Sequence, residues 1–144
     1  MSAIQNLVTR IAAAGRPVRS LELAGDGYNR AHLSRATASG LLEQVARGWY
    51  AAPGAVPVGR RDYLQVALRY PRAAFHGAAA AWLLEHLDEE PADLEIVLPR
   101  SQGWPSGEQP VVAGRRVRIH HVADHRMPRT ATVKIAGHPV KVVT

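Results

Sequence analysis

The side chains of this chain best suited to chemistry are its seven histidines and one dense run of acids. His120, His121 and His125 lie close together in sequence, with Asp124 available to join them, and such a group could hold a divalent metal ion. Neighbouring residues on a strand point to opposite faces, however, so His120 and His121 do not easily share one ion. His76 and His86 stand ten residues apart on one expected helix, nearly three turns, too far to share a ligand. Glu85, Asp88, Glu89, Glu90, Asp93 and Glu95 place six acids within eleven residues. Paired carboxylates can do acid–base or metal work. A run this dense reads first as a solvated helix end and loop, or else as a docking patch for a basic partner. No G-x-S-x-G turn presents a nucleophile, and no glycine-rich loop is suited to phosphate. The chain is therefore expected to be no enzyme and to carry neither metal nor cofactor.

The basic side chains are more telling. The formal charge is +6, from 18 Lys and Arg against 12 Asp and Glu. Residues 1–72 hold ten arginines and four acids, whereas residues 73–144 hold eight basic and eight acidic groups. A GC-rich genome would explain the preference for Arg over Lys but not this asymmetry. Only the first half is expected to meet a polyanion.

Elements able to present those arginines can be read from the apolar spacing. Ile4, Leu7, Val8 and Ile11 form one face of a helix over about Ser2–Ala14, stopped by Gly15 and Pro17. Ser20 reads as the N-cap of a short second helix, Leu21 to Ala24, with Glu22 in its first turn. After a Gly25-Asp26-Gly27 turn, Asn29 reads as the cap of a third helix ending near Ser39, with Gly40 in the left-handed position. Leu41 to Ala46 and Trp49 to Ala52 then make a hairpin turning at Arg47-Gly48. Three helices followed by a hairpin is the order of a winged helix-turn-helix.

On the third helix Leu33, Ala36 and Thr37 point inward. Ala31, Ser34, Arg35 and Ala38 point outward, with Arg30 and His32 on the flanks. Small outward residues let the backbone approach a major groove, where Arg35 can reach guanine or a phosphate. Asn29 and the free N–H groups at the helix start suit a phosphate, and a wing tip at Arg47-Gly48 suits backbone or minor groove. The expected DNA-contacting set is thus Ser20, Asn29, Arg30, Ala31, Ser34, Arg35, Ala38, Arg47 and Gly48. Trp49 and Tyr50 read as core packing rather than a base-stacking platform.

The remaining chain suggests an α+β fold: residues 1–54 a winged helix-turn-helix, 55–60 a linker rich in Pro and Gly, and 61–144 a small α+β domain. In the last part, helices are expected over Arg61–Tyr70 and His76–Leu87, the second with Ala79, Trp82, Leu83 and Leu87 inward. Strands are expected at Ala73–Phe75, Leu94–Leu98, Val117–His120, Thr132–Ile135 and Val140–Val143, with a loop over Ser101–Pro110. The first sixteen residues lack the pattern of an export signal, no run spans a bilayer and no cysteine is present, so a cytoplasmic location and no membrane partner are expected.

Four stretches resemble the AbiEi family, the antitoxin half of bacterial type IV (abortive infection) toxin–antitoxin systems. Leu33–Gly40 followed by Leu41-Leu42-Glu43-Gln44-Val45 is similar to the family's recognition helix and first wing strand. Arg47-Gly48-Trp49-Tyr50 with Pro53-Gly54 resembles its R-G-x-Y…P-G ending. The stretch from Phe75-His76 to Leu83-Leu84 resembles a family helix, with Phe75 where that helix has Ser. Leu94–Arg100 with Val117–Val122 is similar to a strand pair of the family's second domain. The resemblance implies an autorepressor that binds inverted repeats in its own promoter, as a monomer or weak dimer on DNA. It also implies an antitoxin for a nucleotidyltransferase-like toxin. Family members typically continue past Thr144 into a helical part, so the resemblance implies either a short member or an α+β domain incomplete at its C-terminus. Two other readings compete: the DNA-binding head of a nuclease or other enzyme whose catalytic region lies outside this chain, and a protein-interaction module using the acidic 85–95 stretch.

Overall fold

The computed structural model describes residues 2–102 and 110–144. The loop expected over 101–110 therefore falls largely outside the described residues, including its Gly103, Pro105 and Gly107. The fold is α+β and clusters into two compact units: residues 1–61 with 135–138, and residues 62–134 with 139–144. No described helix is long and apolar enough to cross a membrane.

The first unit runs α1 (Ala3–Ala14), β1 (Val18–Arg19), α2 (Ser20–Gly25), α3 (Arg30–Ala38), β2 (Glu43–Ala46) and β3 (Trp49–Ala51), with the strands in the order β1-β3-β2. This is the topology of a winged helix, with a first short strand that apolar patterning does not reveal. Helix α1 opens on a reciprocal cap: the Ser2 hydroxyl accepts from the Gln5 N–H while the Gln5 side chain accepts from the Ser2 N–H. It closes on Gly15 in the left-handed conformation. Leu7 and Ile11 of α1 pack with Val18, Leu23, Leu33, Ala36 and Leu42, all buried, and Ile4 and Val8 flank this core. The inward face expected for α3 holds at Leu33 and Ala36, with Thr37 half-buried.

Two expectations need correction here. Ser20 is not the N-cap of α2; Arg19 holds that position and Ser20 is the first helical residue. Val18 and Arg19 pair with Tyr50 and Trp49 as β1, and the Ser20 N–H donates to the Gly48 carbonyl at 2.8 Å, so the chain is still strand-bound one residue before it coils. Leu41 and Leu42 are not in the wing strand, because both their N–H groups donate to the Ala36 carbonyl and finish the end of α3. Leu42 is thereby turned into the core and Leu41 to solvent.

The second unit carries most of α4 (Arg61–Arg69), then β4 (Ala74–Phe75), α5 (Gly77–Leu83), β5 (Leu94–Pro99), β6 (Val111–Val112), β7 (Arg115–Val122), β8 (Thr130–Ile135) and most of β9 (His138–Val143). Its sheet has the order β6-β7-β5-β4-β9-β8. Strand β5 is central and reads as a nearly continuous apolar run, with Leu94, Ile96 and Leu98 fully buried, as expected of a strand covered on both faces. Tyr63 and Leu64 of α4 are fully buried as well, and the Tyr63 ring meets Phe75 at 5.2 Å.

Helix α5 stops at Leu83, four residues before the expected end. The Glu85 N–H donates to the Trp82 carbonyl and the His86 N–H to the Ala81 carbonyl, with Glu85 in the left-handed conformation. That double closure ends the helix whatever the apolar spacing beyond it. Leu87, expected inward, is instead exposed, and His86 is not on the helix at all.

Candidate nucleic-acid interface

Six of the nine expected contact residues meet in one groove of the first unit. Ser20, Asn29, Arg30, Ser34, Arg47 and Gly48 line a cleft of about 520 Å³ between α2, α3 and the β2–β3 hairpin. The construction is local. The Asn29 side chain accepts from the His32 N–H at 2.9 Å, and the Asn29 N–H donates to His32 Nδ1 at 3.0 Å, so a histidine completes the reciprocal cap that fixes the start of α3. The carboxamide oxygen of Asn29 is thus occupied by the helix, leaving its amide nitrogen for a ligand. Tyr28 packs edge-on to His32 at 6.1 Å. Arg30 and Ser34, one turn apart, look into the groove.

Gly48 closes the wing. Its φ of +79° is a conformation that few other residues adopt, and a β-carbon there would sit 3.6 Å from the Ser20 hydroxyl. That contact is an ordinary one, so it is the positive φ that asks for glycine; the Gly48 carbonyl accepts from the Ser20 N–H, and Arg47 beside it lines the cleft.

Ala31, Arg35 and Ala38 do not line the groove. They form an adjacent exposed strip on α3, so the outward face expected from the helical wheel is divided in two. Leu21, Ala24, Tyr28, Leu33, Gln44 and Tyr50 also line the groove without having been anticipated. The signal for Tyr28 was available, since it directly precedes the helix cap. Leu21 carried none: it is an apolar residue left 74% exposed on a helix too short to show a face. Trp49 and Tyr50, expected in the core, are each half-buried; Arg19 lies over the Trp49 ring at 5.5 Å, while Tyr50 both packs on the core and faces the groove.

The electrostatics of the unit single out the same face. Its acids are Glu22, Asp26 and Glu43. Arg16 and Arg10 take Glu22 at 2.9 and 3.6 Å, Arg10 takes Asp26 at 2.9 Å, and Arg61 takes Glu43. The hydrogen bond from Arg16 holds the Glu22 carboxyl below its usual value. Every acid of the unit is therefore neutralised by an arginine that does not line the groove. Among the described residues Arg19, Arg30, Arg35 and Arg47 of this unit have no acidic partner, and of these Arg19 is engaged by the Trp49 ring. Arg30 also occupies the first position of α3, where no acid offsets the positive helix end.

The histidines considered for metal do not gather as a group. His120 packs against His76, whereas His121 and His125 line a shallow cleft with Arg100 and Arg126. Asp124 is taken by Ser101 and by Arg72 at 3.3 Å. The acidic run is also divided. Glu90 binds Arg115 at 2.6 Å and Asp93 lies 4.0 Å from Arg118.

No family model matches the chain, and no curated protein matches it. Among solved structures it is similar to the RV2827C protein from Mycobacterium tuberculosis, with a TM-score of 0.51 and 21% identity. The match covers 83% of this chain and 43% of that one, so this chain spans less than half of that protein's length. At this identity the likeness concerns the fold.

Proposed function

We propose that this chain is a cytoplasmic, sequence-specific double-stranded DNA-binding protein that represses transcription through its winged helix. The observation that carries the reading is the separation of charge in the first unit. Among the described residues four arginines of this unit have no acidic partner: Arg30, Arg35 and Arg47 lie on α3 or at the wing tip, and Arg19 on β1 lies over the Trp49 ring. A phosphate backbone supplies the missing anions. Arg30, Arg47, the Asn29 amide and the Ser20 hydroxyl are suited to phosphate and sugar, which fix register. The exposed strip of Ala31, Arg35 and Ala38 is small apart from one long cation. It allows close approach of about 13 Å of helix to a major groove, with Arg35 placed for guanine O6 and N7.

The resemblance to the AbiEi family extends the reading to an autorepressor acting on inverted repeats of its own promoter. It also extends it to an antitoxin whose functional partner is a nucleotidyltransferase-like toxin. The test is binding of the full chain to a duplex from upstream of its gene and to a scrambled duplex of equal length, followed by anisotropy across a salt series. The native duplex is expected to bind more tightly, with log affinity falling linearly as log salt rises. Equal affinity for both duplexes would remove the sequence-specific claim, and salt-independent binding would remove the DNA reading itself.

A further inference from the structure

Three side chains from distant parts of the sequence meet on one face of the second unit's sheet, two on neighbouring strands and one just past the end of a third. Strand β4 pairs antiparallel with β5, and the His76 N–H just beyond it donates to the Glu95 carbonyl at 3.0 Å. Strand β5 runs parallel to β7, with Glu95 beside Arg118 and Val97 beside His120. Paired residues share a face and alternate residues return to it. His76, Glu95 and His120 therefore project from the same side of the sheet, opposite the buried Leu94, Ile96 and Leu98. One ligand atom from each of the three lies within 4.8 Å of the others.

Ordinary pairing does not account for this arrangement. His76 Nε2 is 3.8 Å from Glu95 Oε2, too long for a hydrogen bond, and it is shielded from solvent with no hydrogen-bond partner among the described residues. A buried polar nitrogen left this way is costly unless something else satisfies it. The His76 and His120 rings meet edge to face at 4.5 Å. The Glu95 carboxylate is tucked against Gly77, where a β-carbon would stand 2.5 Å from its Oε2 and where φ is +58°. Glycine is thus required directly after the histidine for the carboxylate to hold its place.

We propose that His76, Glu95 and His120 bind one divalent transition-metal ion of the zinc type, with the fourth position open to water. Two imidazoles and a carboxylate suit such an ion better than magnesium or calcium, which favour all-oxygen sets. Ligands about 2.0–2.2 Å from zinc stand roughly 3.3–3.5 Å apart. Donors within 4.8 Å of one another therefore close by up to about 1.5 Å, and the exposed His120 side chain is free to make that movement. The site stands independently of the DNA-binding reading.

The test is zinc titration of the chelator-stripped full chain, by calorimetry and by competition with a chromophoric chelator. One ion per chain is expected. His120→Ala and Glu95→Gln should each weaken binding by more than the ~10–100-fold that losing an outer partner costs, whereas His121→Ala should leave it unchanged. Cobalt should give a visible absorption band that His120→Ala abolishes. His120 is exposed, so this variant keeps the fold, and an unchanged circular dichroism spectrum verifies it. The proposal is overturned by no stoichiometric uptake at micromolar zinc. It is equally overturned by uptake indifferent to His120→Ala and Glu95→Gln, or by uptake that instead follows His121 and His125.

Discussion

The two units assemble their polar groups by opposite routes. The groove of the first is drawn from residues 20 to 50, an unbroken piece of chain whose caps and turns set each side chain in place. The cluster of the second takes Glu95 from β5, His120 from β7 and His76 from the end of β4, where it caps α5. Charge follows the same division. The first unit neutralises each of its acids away from the groove and leaves arginines facing outward, the arrangement of a surface that awaits an anion. The second unit uses several arginines to satisfy its own carboxylates. Arg115 alone meets Asp62 at 3.2 Å and Glu90 at 2.6 Å while lying over the Tyr63 ring at 5.3 Å. In both units an arginine with an acid beside it is a fastening, as Arg16 and Arg115 are, whereas Arg30, Arg35 and Arg47 have no acid placed beside them.

The contrast can be broken most forcefully at Leu33, which anchors α3 from its inner face and is 4% exposed. Leu33→Ala should lower stability by about 2–5 kcal/mol in urea denaturation and weaken DNA binding with it. If affinity survives such a loss, α3 is not the element that meets DNA. Arg35 should separate stability from recognition. It is exposed and unpaired, so Arg35→Ala should leave the urea midpoint unchanged, while binding to the native duplex weakens by about 1–3 kcal/mol and binding to the scrambled duplex weakens less. Equal losses on the two duplexes would reduce Arg35 to a phosphate contact.

Legibility in the sequence tracks these two routes. The winged helix was readable because Asn29, Gly40 and Gly48 mark its boundaries and Leu33 and Ala36 mark its inner face, all within a few residues of each other. Strand β1 was not: two residues carry no periodicity, and Val18–Arg19 is a strand only because Tyr50 and Trp49 lie beside it. For the same reason Ser20 passed for a cap. In the second unit the end of α5 was misplaced because an apolar spacing that runs on to Leu87 cannot reveal a left-handed Glu85. The grouping of His76, Glu95 and His120 depends on strand order, β7 beside β5 beside β4, which no local pattern encodes. His121 is the neighbour of His120 in the chain, whereas its neighbour in space is His76.

The first unit is itself not wholly local, and pH offers the finest test of that. Residues 135–138, a turn far along the chain, cluster with it, and His138 meets the Trp49 ring edge-on at 5.6 Å. Burial, then the Arg16 cation, holds His138 below the usual histidine value. The unfolded chain, whose histidine titrates near pH 6.5, therefore binds the proton before the folded one does. Stability from this group is fully present above about pH 6.5 and is lost as pH falls through the depressed folded value. Urea midpoints should drop between pH 7.5 and pH 5.5, and His138→Gln should make that drop smaller without removing it, since His76 is depressed in the same direction. The effect should be the smallest of those argued, because the ring is only half-buried. Parallel declines in the two proteins would mean that His138 titrates alike in both states. The turn at 135–138 would then contribute to the winged helix by contact alone and not by charge.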